Sequence, residues 1–201
     1  MLVGHQLDTR GYYDSTAAAY CDQTGSYPSA ELLALIQPSL APGQKLLDVG
    51  CGPGRDLGYL TSLGLQAVGI DASAELLSRS TEIGRIVRGD CLCLPFRNES
   101  FDHCLSIATF HHLAPDQCLI AAREVLRVTR PGGRFLTTWK LLHELTLDCT
   151  SNDVCRVFYS YTVDRVVDLL SEAGWQASEQ TCLLDDRGRS FSWLTLLVVR
   201  N

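Results

Sequence analysis

Lysine is almost missing from this chain of 201 residues, which contains only Lys45 and Lys140. No run of Lys and Arg occurs, and 23 acidic residues against 17 basic ones give a net charge of −6. Phosphate backbones are bound by clustered cations, so this balance disfavours unaided contact with long stretches of nucleic acid. Long hydrophobic runs are missing too. No apolar stretch approaches the roughly 20 residues that cross a bilayer, so no membrane span is expected. Met1-Leu2-Val3-Gly4-His5-Gln6 lacks a basic flank followed by an apolar core. No signal peptide is therefore visible, and the expected location is cytoplasmic. Repeats, low-complexity tracts and a clear linker are also lacking, and the length suits a single domain, 1–201, with a complete core.

Metal-binding patterns are equally scarce. Cys91-Leu92-Cys93 is the tightest cysteine pair, and no second close pair completes a tetrahedral set. The nine cysteines are odd in number and follow no secretion signal. All nine are expected to be reduced, acting as small apolar side chains, with no metal ligand among them.

What the chain does have is Leu46-Leu47-Asp48-Val49-Gly50-Cys51-Gly52-Pro53-Gly54, an apolar run with an acid near its end and then three alternating glycines. A second apolar segment, Ala67-Val68-Gly69-Ile70, ends at Asp71. Strand, glycine turn, helix and acid-tipped strand form the layout of a nucleotide-type cofactor site at the carboxyl edge of a parallel sheet. The third glycine comes one residue earlier than in the dinucleotide pattern. Asp48 would repel a pyrophosphate but would favour the ammonium of a methionine moiety. Asp71 suits a ribose, since a carboxylate accepts two hydroxyl hydrogen bonds. The cofactor these residues point to is S-adenosylmethionine (SAM).

Hydrophobic spacing predicts the remaining elements. Helices are expected over Pro28–Ile36, Arg55–Leu63, Ser73–Ser80, from Pro115 onward, and over Val163–Ala173 with Val163, Val166, Val167 and Leu170 inward. Strands are expected over Lys45–Val49, Gln66–Ile70, Arg85–Val87, Phe101–Ala108, Arg134–Trp139, Trp175–Leu183 and Phe191–Val199. The last two flank a hairpin turn at Asp185–Arg189. The fold expected is α/β: a Rossmann-like, doubly wound, seven-stranded, mainly parallel sheet with one antiparallel strand in a C-terminal hairpin. Segment 44–140 is the cofactor-binding core, and 141–201 supplies a C-terminal helix and hairpin, with Leu141–Asn152 ambiguous. Residues 1–27, polar with Tyr12, Tyr13 and Tyr20 and without a strong apolar period, form a lid segment.

The ordered motifs resemble those of the class I SAM-dependent methyltransferases, the methyltransferase type 11 group in particular. Leu47–Gly54 looks like that family's first motif and Gly69–Ser73 like its second. Gly89-Asp90-Cys91 with Leu94-Pro95-Phe96 looks like its adenine segment, Phe101-Asp102 through Ala108 like its fourth strand, and Arg130-Pro131-Gly132-Gly133 like the turn before its fifth. The resemblance implies a cofactor set of Asp48, Gly50, Cys51, Gly52, Gly54, Asp71, Ala72, Asp90, Cys91, Ile107 and Tyr20. Asp90 would accept from the adenine amino group, and the Cys91 N–H would contact the ring.

Methyl transfer from a sulfonium relies mainly on proximity and orientation, so no triad is required, and none is found. His111 and His112, after the fourth strand, are the candidate catalytic bases. The alternative is that they hold their loop by backbone hydrogen bonds. Ser106–Leu113 and Arg156–Tyr161 also resemble segments of the eukaryotic wobble-uridine tRNA methyltransferases, which esterify a carboxymethyl group. Asp116-Gln117-Cys118 stands where those carry paired arginines, and Pro53 where they carry a basic residue. The expected acceptor is therefore a small molecule. Transfer to tRNA, with a partner subunit supplying the RNA surface, is the alternative, and a non-catalytic SAM-binding module is a third reading.

Overall fold

The structure, a computed structural model, describes residues 6–24, 29–82, 84–185 and 191–201, with backbone alone at Gln6 and 177–185. In chain order its elements are β1 (Gln6–Leu7), α1 (Thr9–Thr24), α2 (Ala30–Ile36), β2 (Lys45–Val49), α3 (Arg55–Ser62), β3 (Gln66–Asp71), α4 (Ala74–Ser78), β4 (Ile86–Arg88), β5 (Phe101–Ser106), α5 (Pro115–Val128), β6 (Thr129–Leu141), β7 (Thr146–Cys149), β8 (Val154–Phe158), α6 (Val163–Glu172), β9 (Gln176–Asp185) and β10 (Ser192–Val199).

Seven strands form the main sheet in the order β4-β3-β2-β5-β6-β10-β9. All neighbours from β4 to β6 pair in parallel, and β10 runs antiparallel to both β6 and β9. The expected sheet is thus the one observed. Its strands are apolar on both faces because helices cover both. Successive residues divide between two cores. Leu47, Cys104 and Phe135 join Val125 of α5 and Leu169 of α6 on one side. Leu46, Leu105 and Leu136 join Ile36 of α2 and Leu57 and Leu60 of α3 on the other.

Local chemistry explains the helix ends. Ser73 Oγ accepts from the Leu76 N–H at 3.1 Å and caps α4. Pro115 opens α5, while the Ala114 N–H donates to Gln117 Oε1 at 3.1 Å. Thr162 caps α6 through the Arg165 N–H. The inward seam of α6 is rotated by one residue from the expected one: Val166, Leu169 and Leu170 are buried, whereas Val167 is 38% exposed. Val163 meets the core only in part, so a spacing count begun there sits too far round the helix.

Two regions depart from expectation. The N-terminal segment contains the first helix, α1, of 16 residues. It buries Ala17 alone, which is why no apolar period announces it. Its start is set by Asp8, whose Oδ1 accepts the Gly11 N–H at 2.9 Å. The ambiguous stretch after β6 becomes β7, which joins a separate three-stranded sheet in the order β1-β8-β7. That sheet also corrects the cysteine reading. Antiparallel register sets Cys149 opposite Cys155, with Cα atoms 4.1 Å apart, and the two form a disulfide. Cys21, Cys51, Cys91, Cys93, Cys104 and Cys118 are free. Cys182, Pro28 and positions 186–189 of the expected hairpin turn lie outside the residues whose side chains are described. Among the described residues no helix is long and apolar enough to cross a membrane, and no group of three potential ligands could hold a metal ion.

Candidate active site

The carboxyl ends of β2, β3 and β5 open into a cavity of about 210 Å³, at the edge where a parallel sheet presents its ligand crevice. Gly50 and Gly52 shape its floor. Both have positive φ, +78° and +55°. A Cβ on Gly50 would lie 2.0 Å from Thr109 Oγ1. One on Gly52 would have its nearest neighbours, Leu76 and Tyr20, at 3.9 and 4.0 Å. Those are ordinary van der Waals separations, so at Gly52 it is the positive φ rather than crowding that calls for glycine.

Asp71 fastens the turn. Its Oδ2 accepts from the Gly52 N–H and its Oδ1 from the Ser73 N–H, both at 2.8 Å. Burial raises its pKa, and the N–H groups of Ser73, Gly52 and Ala72 oppose the rise. Each oxygen keeps a lone pair for a further donor. Ala72 lines the same wall, and Asp90 and Cys91 line the cavity beyond it. Asp90 Oδ1 accepts the Leu92 N–H at 2.9 Å. Burial pushes the Cys91 thiol up to about 12, with Asp90 adding to the effect.

A smaller recess adjoins the first, lined by Asp48, Cys51, Arg55, Ile107 and Tyr20 among others. Asp48 is 3% exposed, and among the described residues no hydrogen bond to its carboxylate forms. Burial holds its pKa well above the ordinary carboxylate value, Asp56 adds to this, and Arg55 opposes it. Arg55 Nη2 donates to Ser29 Oγ at 2.7 Å, but its Nε is buried without a partner. A buried carboxylate and, among the described residues, an unpartnered buried N–H donor therefore share one recess, which suits a ligand bearing both an ammonium and a carboxylate. Gly54 is set back from both spaces at the N-cap of α3.

The histidines separate. His112 lines the cavity; His111 does not. His112 Nδ1 lies 2.6 Å from the Val157 carbonyl, which can only accept, so Nδ1 carries the proton. Nε2 is then the acceptor for the Tyr13 O–H at 2.9 Å. Arg156 Nη1 in turn donates to the Tyr13 oxygen at 3.0 Å. Burial lowers the His112 pKa to about 4 and raises that of Tyr13 to about 12. His111 is 1% exposed, stacked on Phe158 at 5.4 Å, and its Nδ1 accepts the Lys140 N–H at 3.2 Å. Burial and the neighbouring His112 hold its pKa well below the ordinary value.

Helix α1 roofs the cavity. Thr9, Arg10, Tyr13 and Tyr20 line it from above. Tyr13 packs edge-on against Tyr12, Tyr20 and His112, with centroids 5.7, 5.3 and 5.6 Å apart. Asp14 Oδ1 accepts from Ser73 Oγ at 2.6 Å, tying the roof to the α4 cap. The sequence reading missed Thr9, Arg10, Thr109 and Arg156. The available signals were the cluster of three tyrosines and the segments Ser106–Leu113 and Arg156–Tyr161, which contain Thr109 and Arg156. Ala108, at φ +58° with its N–H donating to Thr138 Oγ1, marks the bend that carries Thr109 under Gly50.

Comparison with known proteins agrees with this geometry. Residues 47–137 match the family described as "Methyltransferase domain". An uncharacterised transposon-borne protein of Streptomyces fradiae is 35% identical over 80% of this chain and 47% of its own length. The tRNA (carboxymethyluridine(34)-5-O)-methyltransferase alkbh8 of Xenopus tropicalis is 35% identical over 68% of this chain and 20% of its own length. This chain thus spans about half the length of one relative and about a fifth of the other. Among solved structures, a Burkholderia thailandensis 1,6-didemethyltoxoflavin-N1-methyltransferase with bound S-adenosylhomocysteine superposes with a TM-score of 0.73, at 19% identity, over 99% of this chain and 93% of that one. Glycine turn, acid-tipped second strand and sheet order define a SAM-binding Rossmann-like domain. Residues 47–137 of the chain belong to the methyltransferase-domain family of the class I SAM-dependent methyltransferases, and the cofactor of the fold is SAM.

Proposed function

We propose that this chain transfers a methyl group from SAM to a small-molecule acceptor bound beneath α1. The observation that carries the reading is the cavity beside Asp71 and the positive-φ turn at Gly52, continuous with the recess lined by the buried Asp48 and by Arg55, whose Nε has no partner among the described residues. Asp71 would accept from the ribose hydroxyls. Asp90 and the Cys91 N–H would hold the adenine. Asp48 would receive the ammonium and Arg55 Nε the carboxylate of the methionine end, while Tyr20 and Ile107 cover it.

The sulfonium supplies a methyl carbon already activated for substitution. The protein's part is to orient the acceptor and exclude water. Both nitrogens of His112 are occupied, so its role here is to seat Tyr13 rather than to collect a proton. His111, outside the cavity, holds the loop after β5. A roofed cavity and a charge of −6 favour a small acceptor over a polynucleotide.

A second reading, transfer to tRNA, is favoured by the named function of the Xenopus relative, and would require a partner to supply the cationic surface. Incubation with SAM and either a panel of small acceptors or tRNA, measuring S-adenosylhomocysteine formed, tests both. Turnover with small acceptors and none with tRNA is expected. Turnover with tRNA alone would replace the first reading with the second. Tight SAM binding without turnover on any acceptor would point to a binding module.

A further inference from the structure

Apart from the Asp14–Ser73 and Thr9–Val157 contacts, the side chains that hold the roof down converge on one residue that the cofactor motifs do not contain. Arg156, in β8, donates from Nε and Nη2 to Asp148 Oδ2 at 3.0 and 2.7 Å, and from Nη1 to the Tyr13 oxygen. Its guanidinium also lies over the rings of Tyr12, Tyr13 and Phe158, 4.6, 5.3 and 5.0 Å from their centroids. Tyr12 donates to the same Asp148 oxygen at 3.0 Å. Arg156 and Asp148 face each other in the β7–β8 register, and the next pair along is Cys149 with Cys155, the disulfide. Cys155 also pairs with Leu7 of β1, and its carbonyl accepts the Asp8 N–H at 3.1 Å at the threshold of α1.

A two-stranded hairpin at the edge of a small sheet is weak by itself. The disulfide pins its register, and that register places Asp148 opposite Arg156. We propose that the Cys149–Cys155 disulfide and the Asp148–Arg156 pair form one latch that seats Tyr13 against His112 over the cofactor cavity, so that opening the disulfide loosens the roof and releases cofactor. Arg156 is thus a positioning residue, acting through Tyr13. This inference rests on the reading of the cavity as a SAM site.

The chemistry is thiol–disulfide exchange with a dithiol reductant. A thiolate of the reductant attacks the sulfur of Cys149, the exposed partner. The S–S bond breaks with its electron pair on the sulfur of Cys155, which takes up a proton. The reductant's second thiol then closes its own disulfide and frees Cys149 as a thiol. Two electrons and two protons pass to the protein, and the dithiol is oxidised.

Release of labelled S-adenosylhomocysteine from the full chain, before and after treatment with dithiothreitol, provides the test. Mass spectrometry of the intact chain confirms that the disulfide has opened. Reduction should speed release about tenfold, the scale of losing a charge-assisted hydrogen bond. Cys149→Ser should release at the fast rate with or without reductant. Arg156→Gln should also be fast in both states, and Arg156→Lys should not restore the slow rate, because an ammonium lacks the fork that joins Asp148 to Tyr13. Reduction of the unmodified chain needs no variant to fold, so it decides the case if a variant does not. Unchanged release from a chain with its disulfide open overturns the latch, as does acceleration by reductant in Cys149→Ser. If the oxidised chain binds no S-adenosylhomocysteine at all, the cofactor reading falls and takes the latch with it. Tight binding without a redox effect removes the latch alone.

Discussion

The floor and the roof of the cavity are built differently. The floor is made by neighbours in sequence and by paired strands: Gly50 and Cys51 both donate to the Ile70 carbonyl, at 2.8 and 3.1 Å, and the Gly52 N–H reaches Asp71 across 19 positions. The roof is held by side chains far apart in the chain, with Tyr12 bound to Asp148 across 136 positions and Tyr13 to Arg156 across 143. The floor is continuous with two apolar cores, whereas α1 buries Ala17 alone. A floor of this kind is rigid; a roof attached by a few polar contacts opens at small cost.

The largest effect should come from a single methyl group in the floor. Gly50→Ala sets a Cβ within 2.0 Å of Thr109 Oγ1 at a φ of +78°. It should cost about 3 kcal/mol of stability or more and remove detectable SAM binding. Denaturant unfolding and calorimetry check both, and near-native values would show that the floor yields more than its geometry implies.

His112 probes the junction of the two regions. Its folded pKa of about 4 lies below the ordinary 6.5, so the unfolded chain binds the extra proton first as pH falls. Its contribution is complete above pH 6.5 and is lost as pH falls toward 4, by up to about 3 kcal/mol. The stability difference between the native chain and His112→Asn, followed by unfolding across that range, should shrink accordingly. A constant difference would mean that His112 is solvated and the roof already open.

Asp71→Ala should weaken SAM binding roughly ten- to a hundredfold, from the loss of about 1.5–3 kcal/mol of hydrogen bonds to a charged acceptor. Wild-type affinity in that variant would take the ribose role away from Asp71. The smallest effect should fall on the roof. Asp14→Ala, which unties α1 from Ser73, should raise amide exchange within α1 several-fold by loosening a contact of about 1 kcal/mol, and leave exchange in β2 and β5 unchanged. Bound S-adenosylhomocysteine should slow exchange in α1 again. Slow, ligand-independent exchange there would make α1 fixed structure.

The legibility of the two regions differs for the same physical reason. Asp48, Gly50, Gly52, Asp71, Asp90 and Cys91 were readable because a glycine turn, an acid-tipped strand and a helix start each occupy a few consecutive residues with characteristic chemistry. Helix α1 was read only as part of a lid segment, with no helix assigned, because it turns no apolar stripe to the core. The separate roles of His111 and His112 were invisible, since adjacent residues of one type differ only in what the fold puts beside them. One meets Phe158 and the Lys140 N–H, the other Tyr13 and the Val157 carbonyl.

By itself the sequence determined the α/β alternation, the seven-stranded sheet with its one antiparallel strand, and the residues at the carboxyl edge. Periodicity and turn chemistry act over a handful of neighbours, and strands apolar on both faces call for a parallel sheet covered by helices on both sides. Only the tertiary structure decided which groups close the cavity: the pairing of Cys149 with Cys155, the placement of Arg156 between Asp148 and Tyr13, and the burial that shifts His112. Each depends on register between segments that meet only after the core has formed, and no local pattern encodes such a register.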